Sequence, residues 1–152
     1  MLRIGKLTDY ATVVLAVLAQ DEGRHLAATE LADRTRLAVP TVSKVLKGLQ
    51  RAGMVVSTRG PHGGYRLARH PEQITAAQIL DVFEGPIAIT ECAGLDSRCG
   101  IEHACRVGGA WQRVSAAIRR ALEDVTLRQL AGLEHGGLRL LDLASDLRLG
   151  LR

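Results

Sequence analysis

Apolar residues recur at every third or fourth position in the first part of the chain, which is the pattern of a helix that buries one face. Such a stripe covers residues 7–20, and Thr8 stands where a side chain would cap its beginning. A second, shorter stripe covers residues 30–36 behind Thr29, another candidate cap. The pattern therefore predicts a long helix followed by a short one.

A third helix is predicted from Pro40 to Ala52, ahead of Gly53. Proline suits the first position of a helix because it has no amide hydrogen to leave unpaired. Its inward stripe is apolar and consists of Val42, Val45, Leu46 and Leu49. Two short helices joined by a tight turn, the second with polar residues between its apolar positions, predict a helix-turn-helix.

A β-hairpin is predicted directly after the third helix. Residues 54–59 are rich in β-branched side chains, residues 60–64 are rich in glycine, and residues 65–69 form a second short strand. A helix-turn-helix followed by such a hairpin is a winged helix. The His62-Gly63 pair also resembles the oxyanion loop of an esterase, but no nucleophile elbow accompanies it, so we set that interpretation aside.

Two further helices are predicted in the second half. Thr75 is expected to cap a helix that runs through Phe83 and stops at Gly85 and Pro86. A longer amphipathic helix then carries an apolar stripe of Trp111, Val114, Ile118, Leu122 and Val125. That stripe needs a partner, either the same helix of a second copy or the first helix of its own chain.

The predicted fold is thus mainly α with a small β-hairpin: a winged helix-turn-helix with a long C-terminal dimerisation helix. We divide it into a winged-helix domain at 1–86, a cysteine-bearing loop at 87–106, the dimerisation helix with a short following helix at 107–131, and a tail at 132–152. The tail either forms a helix over 138–149 or stays without one.

From its composition we expect the protein to be cytoplasmic. At 152 residues and 47% hydrophobic, the chain can bury a core, yet its longest apolar run, residues 11–19, is too short to cross a bilayer. No signal-peptide pattern precedes it, so we expect no membrane partner. A reducing compartment disfavours structural disulfides, so the cysteines should be thiols or ligands.

Positive charge is concentrated in one segment. Residues 34–71 contain eight Lys or Arg and no Asp or Glu, although the net charge of the whole chain is only +4. An acid-free basic segment that spans a helix-turn-helix and its wing indicates double-stranded DNA as the partner. The residues expected to contact DNA are Thr41, Ser43, Lys44, Lys47, Arg59, His62 and Arg66.

All three cysteines of the chain, Cys92, Cys99 and Cys105, fall within fourteen residues. Thiolates are the ligands of zinc, copper(I) and iron–sulfur clusters, and these spacings differ from the paired Cys-x-x-Cys pattern of zinc sites. Three free thiols, or one disulfide with a leftover thiol, would fit the same residues.

These motifs together resemble a known family. The opening residues 1–11, the wing at 59–65 and three cysteines ahead of a tryptophan-bearing helix resemble the winged-helix iron–sulfur regulators that include IscR and NsrR, and among them regulators of the SUF cluster-assembly system. The resemblance covers about residues 1–131. It implies a homodimeric transcriptional regulator, commonly a repressor, and neither an enzyme nor a binder of a small-molecule substrate. It also implies a 2Fe-2S or 4Fe-4S cluster that reports cluster supply, oxidative stress or nitric oxide.

The resemblance leaves the fourth cluster ligand open. IscR-like members have a histidine where this chain has Gly108, whereas NsrR-like members use an aspartate of the other subunit, at the place of Asp9. The alternative interpretation of Asp9 is a surface carboxylate near a helix N-terminus, where the helix dipole favours negative charge. His103, water or a small thiol are the other candidates, since clusters accept nitrogen and oxygen ligands.

Three other functions use the same residues. A thiol redox switch would oxidise the cysteines without a metal, and an electron-transfer protein would hold a cluster without binding DNA. A winged helix that contacts only proteins would show no DNA affinity.

Overall fold

The computed structural model describes residues 3–90, 100 and 106–133. The described helices are α1 (Lys6–Gln20), α2 (Ala28–Thr35), α3 (Val39–Arg51), α4 (Ala76–Phe83), α5 (Gly108–Glu123) and α6 (Leu127–Leu130). The strands are β1 (Val55–Thr58) and β2 (Gly64–Leu67), and a 3₁₀ turn covers Pro71–Gln73. This arrangement confirms the predicted winged helix-turn-helix. Within the described residues, no helix is long and apolar enough to cross a membrane.

The core lies between α1, α2 and α3, as the apolar stripes predicted. Val14 and Leu15 of α1, Leu31 of α2 and Leu46 of α3 are fully buried. Burying side chains of this size stabilises a fold by about 1.5–3 kcal/mol each before entropy is counted. Packing therefore holds the helix-turn-helix in place.

Both predicted N-caps of the first two helices were wrong. The N-cap of α1 is Gly5, and Thr8 lies inside the helix with 1% of its surface exposed. The N-cap of α2 is Ala27, so Thr29 is already a helical residue. Pro40 is the second residue of α3 rather than its first, because the helix begins at Val39.

The wing is a two-stranded antiparallel hairpin that a third segment supports. Val55 of β1 pairs with Leu67 of β2. The backbones of Leu26 and Tyr65 exchange hydrogen bonds of 2.9 and 2.8 Å. Gly64 is required at this contact, since a Cβ there would stand 2.6 Å from the carbonyl oxygen of Leu26. The turn-side half of β2 is thus fixed to the loop that precedes α2.

The second half of the chain packs against the winged helix at two places, through α5 and through α6. Thr75 caps α4 in a capping box with Gln78, as predicted, and α5 packs principally against α4. After α5, the amide of Leu127 donates to the carbonyl of Ile74 at 2.7 Å, and the Leu127 side chain is fully buried against α1. The predicted amphipathic helix is confirmed as α5, while its role in dimerisation and the domain limits stay predictions.

Candidate nucleic-acid interface and cofactor site

The outer face of α3 carries the side chains predicted to contact DNA. Apolar residues at four positions fix the rotation of this helix because all four are fully buried: Val42, Val45, Leu46 and Leu49. That rotation leaves Ser43, Lys44 and Lys47 exposed and Thr41 half-buried. No acidic residue lies in the first turn of α3. The structure therefore brings hydroxyl and ammonium groups together on one open face of the predicted recognition helix.

The wing presents a second group of predicted residues. Arg59 and His62 are exposed at the hairpin tip, between β1 and β2. Arg66 is half-buried, and its Nη1 donates to the carbonyl of Leu67 at 3.1 Å, so this guanidinium is partly engaged within its own strand. Arg59 and His62 are therefore the better placed of the three for a partner outside the chain.

Side-chain hydrogen bonds hold the wing against the helical domain. Gln50 Nε2, in the last turn of α3, donates to Ser57 Oγ of β1 at 3.0 Å. Thr58 Oγ1 lies 3.1 Å from His25 Nε2, next to the Leu26 pairing described above. The strands that carry the tip are thus hydrogen-bonded both to the end of α3 and to the segment that precedes α2.

Asp9 stands in the first turn of α1 with an exposed side chain. Its carboxylate makes no hydrogen bond or ion pair with any residue between 3 and 90 or in the other described part of the chain. A carboxylate at this end of a helix is stabilised by the helix dipole. Asp9 therefore remains available to bind a ligand.

A different carboxylate caps the same helix. Glu84, which ends α4, accepts hydrogen bonds through Oε1 from the Gly5 amide at 2.9 Å and from Thr8 Oγ1 at 2.6 Å. A Cβ on Gly5 would lie 2.5 Å from Glu84 Oε1, so a larger residue there would require the Glu84 carboxylate to move from this position. Glu84 supplies the cap that α1 lacks in its own sequence, and it does so from a residue that precedes Cys92 by only eight positions.

The segment that leads from α4 toward the cysteines is also attached to α5. The amide of Ile89 donates to Ser115 Oγ at 3.2 Å, and Ser115 is buried. Arg119 of α5 binds Asp81 of α4 with both Nη atoms, at 3.0 and 2.9 Å. Hydrogen bonding to Asp81, followed by its negative charge, raises the pKa of Arg119. Residues 84–89 are therefore connected at one end to α1 and at the other to α5.

An apolar cavity of about 360 Å³ lies beside this connection. Leu80 of α4, Ile87 and Ile118 of α5 are among the residues that line it. Farther along the same helix, Trp111 and Val114 are each 41% exposed. The predicted α5 stripe is therefore only partly covered within the described chain.

The predicted cluster ligands Cys92, Cys99 and Cys105, and the alternative ligand His103, lie outside the described residues. Within the described ranges, no group of three or more His, Cys, Asp or Glu side chains is arranged to hold a metal ion. Gly108, which replaces the histidine of IscR-like proteins, is the first residue of α5.

The sequence pattern missed Glu84. A helix that begins at a glycine with no Ser, Thr, Asp or Asn at its cap position indicates that the cap comes from elsewhere. That signal was present at Gly5, but it does not tell which distant residue supplies the carboxylate.

Comparison with known proteins identifies the relatives of this chain. Residues 4–132 match the model of the Rrf2 family, described as iron-dependent transcriptional regulators. The chain is 29% identical over 131 residues to the transcriptional regulator NsrR of Shouchella clausii, covering 85% of this chain and 88% of that protein. It is 27% identical over 126 residues to IscR of Aliivibrio salmonicida, covering 83% and 73%.

Solved structures agree with the sequence comparison. The structure of CymR, the global cysteine regulator of B. subtilis, superposes with a TM-score of 0.69 at 28% identity and covers 88% of this chain and 99% of that one. These relatives are regulators of transcription rather than enzymes. Because the family model matches residues 4–132 and the solved structure of CymR shares the fold, the chain belongs to the Rrf2 family of transcriptional regulators.

Proposed function

We propose that this protein is a homodimeric repressor that binds operator DNA through α3 and the wing and that senses iron–sulfur cluster status or redox stress. Its targets would be genes of iron–sulfur cluster assembly, in line with the resemblance to SUF regulators. The observation that carries the DNA-binding part is the open, acid-free face of α3 beside the basic wing tip.

In the proposed complex, α3 enters the major groove. Residues near the start of a recognition helix reach farthest toward base edges, so Thr41, Ser43 and Lys44 would read bases. Lys47 lies one turn farther along and would contact phosphate. Arg59 and His62 at the wing tip would lie along the backbone or in the minor groove, with Arg66 supporting them.

The donor set proposed for the cofactor is Cys92, Cys99 and Cys105 with Asp9 of the partner subunit. Three thiolates and one carboxylate match the chemistry of an iron–sulfur cluster, in which an oxygen ligand replaces one sulfur. The free carboxylate of Asp9 supports this assignment because no described side chain competes for it. When bound, a cluster would supply reactivity toward oxygen, nitric oxide and iron depletion.

The hydrogen bonds around residues 84–89 support a route from that site to DNA. Glu84 holds the start of α1, where Asp9 lies, and the Ile89 amide holds Ser115 of α5. A change in the cysteine segment would therefore bear on α1 and α5 together. Because α5 is also the proposed dimer helix, such a change would alter the angle between the two recognition helices.

The defining experiment is anaerobic purification followed by absorption spectroscopy, iron and sulfide assays, and salt-dependent binding to duplex DNA. We expect a coloured protein that contains iron and sulfide and whose DNA affinity falls with salt. A colourless protein that loses DNA binding on reversible thiol oxidation would establish the metal-free switch instead. A coloured protein without DNA affinity would indicate electron transfer, and a protein with neither would contradict both halves of the proposal.

A further inference from the structure

Arg36, in the turn between α2 and α3, adopts a backbone conformation that arginine rarely takes. Its φ and ψ are 56° and 27°, in the left-handed region. Among the described residues it is the only one besides glycines with a positive φ. Left-handed geometry costs a residue with a Cβ more than it costs glycine, so arginine is a poor choice for the backbone at this position.

The local hydrogen bonds show why the left-handed conformation is needed. The amides of Arg36 and Leu37 both donate to the carbonyl of Ala32, the latter at 3.2 Å. This pattern closes a helix through one left-handed residue, and glycine is the usual residue there. Leu37 then turns inward and packs against the core. The geometry is fixed by the fold, and the arginine side chain contributes nothing to it.

The guanidinium of Arg36 has no role inside the described chain. The residue is exposed, and its side chain makes no hydrogen bond or ion pair with any residue that the structure describes. Its neighbour Arg34 differs, since it pairs with Asp21. A strained position that carries an unpaired charged side chain points to a function outside the fold.

The position of Arg36 indicates what it meets. It lies two residues before Ala38, the N-cap of α3, and this helix start has neither a side-chain cap nor an acidic residue in its first turn. The exposed Ser43 and Lys44 follow within the first two turns of the same helix. An arginine beside the positive end of the recognition helix adds to a field that attracts anions.

We propose that Arg36 binds a DNA phosphate that flanks the groove occupied by α3. This inference rests on the proposed DNA-binding function and adds a contact that the sequence pattern did not include. Arginine suits the role because its planar guanidinium can donate two parallel hydrogen bonds to one phosphate. The turn geometry places that side chain at a backbone cost, which we expect binding to offset.

Three substitutions at this position separate the effect of backbone strain from the effect of the positive charge. Arg36→Gly removes both strain and charge, Arg36→Ala removes only the charge, and Arg36→Lys keeps charge and strain. The probe is a random-sequence DNA duplex of about 30 base pairs, roughly three helical turns, because phosphate contacts are independent of sequence. Binding is titrated over a series of salt concentrations, and thermal unfolding is recorded for the DNA-free protein.

We expect Arg36→Gly to raise the unfolding midpoint by about 2–4 °C, because glycine relieves the left-handed backbone strain of this one residue in a protein of this size. The same variant should bind DNA on the order of threefold to tenfold more weakly, with a salt slope reduced by about 0.9 for each protomer bound. Arg36→Ala should lose the same affinity without gaining stability. Arg36→Lys should bind nearly as the wild type does. A structural role would move stability and affinity in the same direction, whereas this proposal has them move in opposite directions.

Arg120→Ala on the exposed face of α5 is the control for loss of one positive charge. The proposal is overturned if Arg36→Gly keeps the wild-type affinity and salt slope, if Arg36→Lys is as weak as Arg36→Gly, or if Arg120→Ala reduces the slope equally. Lys47→Ala, which removes a proposed phosphate contact of α3, is titrated alongside to separate a failure of the Arg36 contact from a failure of DNA binding as such. Weakened binding by Lys47→Ala beside unaffected binding by Arg36→Gly would refute only the Arg36 contact, while a wild type with no affinity for the duplex would refute the DNA-binding function as well.

Discussion

Thr8 and Asp9 are neighbours in the first turn of α1 and have opposite surroundings. Thr8 is buried and donates to Glu84 Oε1, whereas Asp9 is exposed and has no partner in the described chain. The fold therefore depends on Thr8 and is nearly indifferent to the Asp9 carboxylate. A functional test at Asp9 can be read without interference from misfolding.

Asp9→Ala should change the free energy of unfolding of the cluster-free protein by less than about 1 kcal/mol, the usual worth of an exposed acid at a helix N-terminus. The same substitution should alter the anaerobic absorption spectrum and shorten the lifetime of the cluster. Cys92→Ala, which removes an expected cysteine ligand, is the matched control. If Asp9→Ala keeps the wild-type spectrum and lifetime while His103→Ala alters both, the fourth ligand lies in the cysteine segment.

Mixed dimers test whether Asp9 serves the opposite subunit. We expect dimers formed from one Asp9→Ala protomer and one Cys92→Ala protomer to bind about one cluster, because the first protomer's cysteines meet the second protomer's aspartate. Iron and sulfide per dimer provide the measurement. If both ligands came from one chain, no complete site would remain in the mixed dimer, and the dimer would contain no more iron than either parent variant alone.

Lys44 and Arg59 test the DNA-contacting residues. Each alanine substitution should weaken operator binding by about 1–3 kcal/mol if the residue reads a base, and should reduce the salt slope by about one if it contacts phosphate. Both side chains are exposed, so the fold should be unaffected. Unchanged operator affinity in the Lys44→Ala, Arg59→Ala double variant would disprove the assignment, and Arg120→Ala again controls for net charge.

At the scale of the elements, the most informative contact joins α1 and α4. Gly5 begins α1 without a capping side chain, and the carboxylate of Glu84 from the end of α4 takes that place. These two residues are 79 positions apart in sequence. The contact places the first turn of α1 beside the segment that leads to the cysteines, which is where a sensor would need it.

A double-mutant cycle measures this contact. Thr8→Val should cost about 1 kcal/mol of unfolding free energy through loss of its hydrogen bond to Glu84, and Glu84→Ala a similar amount through loss of the cap. Because they remove one shared interaction, the double variant should be more stable than the sum of the two losses implies, by roughly 0.5 kcal/mol or more. Denaturant unfolding gives all four values. Strict additivity would show that the Thr8 hydroxyl and the Glu84 carboxylate do not interact.

The periodicity of apolar residues predicted the helices well because the face that a helix buries is determined by residues close together in sequence. The first helix was predicted at residues 7–20 and is observed at Lys6–Gln20, and the predicted cap of α4, Thr75, is the observed one. The predicted caps of α1 and α2 were wrong because both helices begin before the threonines. Thr8 is buried within α1, where it donates to Glu84, and Thr29 is the second residue of α2. The pairing of Leu26 with Tyr65 could not be predicted, since it joins segments with no shared local pattern.

The candidate interface was partly predictable in the same sense. The stripe of α3 fixes which side chains point outward, so Ser43, Lys44 and Lys47 followed from the sequence. The engagement of Arg66 with the Leu67 carbonyl did not, and neither did the left-handed turn at Arg36, because both depend on backbone geometry that no spacing records.

At the scale of the whole molecule, α5 is fastened to the winged helix at several points. Arg119 binds Asp81 through two hydrogen bonds, Ser115 accepts from the Ile89 amide, and Leu127 returns the chain to the core. We therefore expect α5 to move together with the winged helix. If two copies join along α5, the orientation of α5 sets the spacing of the two recognition helices, which must match the half-sites of a palindrome.

The exposed part of the α5 stripe provides the test of assembly. Ile118→Asp should give a monomer with weak palindrome binding, because the carboxylate would face apolar surface without a partner. Ile118 also lines the cavity beside Leu80, so a loss of folding would confuse that result. Val114→Asp avoids the difficulty, since Val114 is 41% exposed in the single chain and its replacement should leave the unfolding midpoint nearly unchanged.

Arg120→Asp introduces the same side chain away from the stripe and should remain dimeric. Sedimentation equilibrium distinguishes the outcomes: if Val114→Asp and Ile118→Asp both fold and stay dimeric, the stripe is not the seam, and the coupling proposed through α5 loses its structural basis.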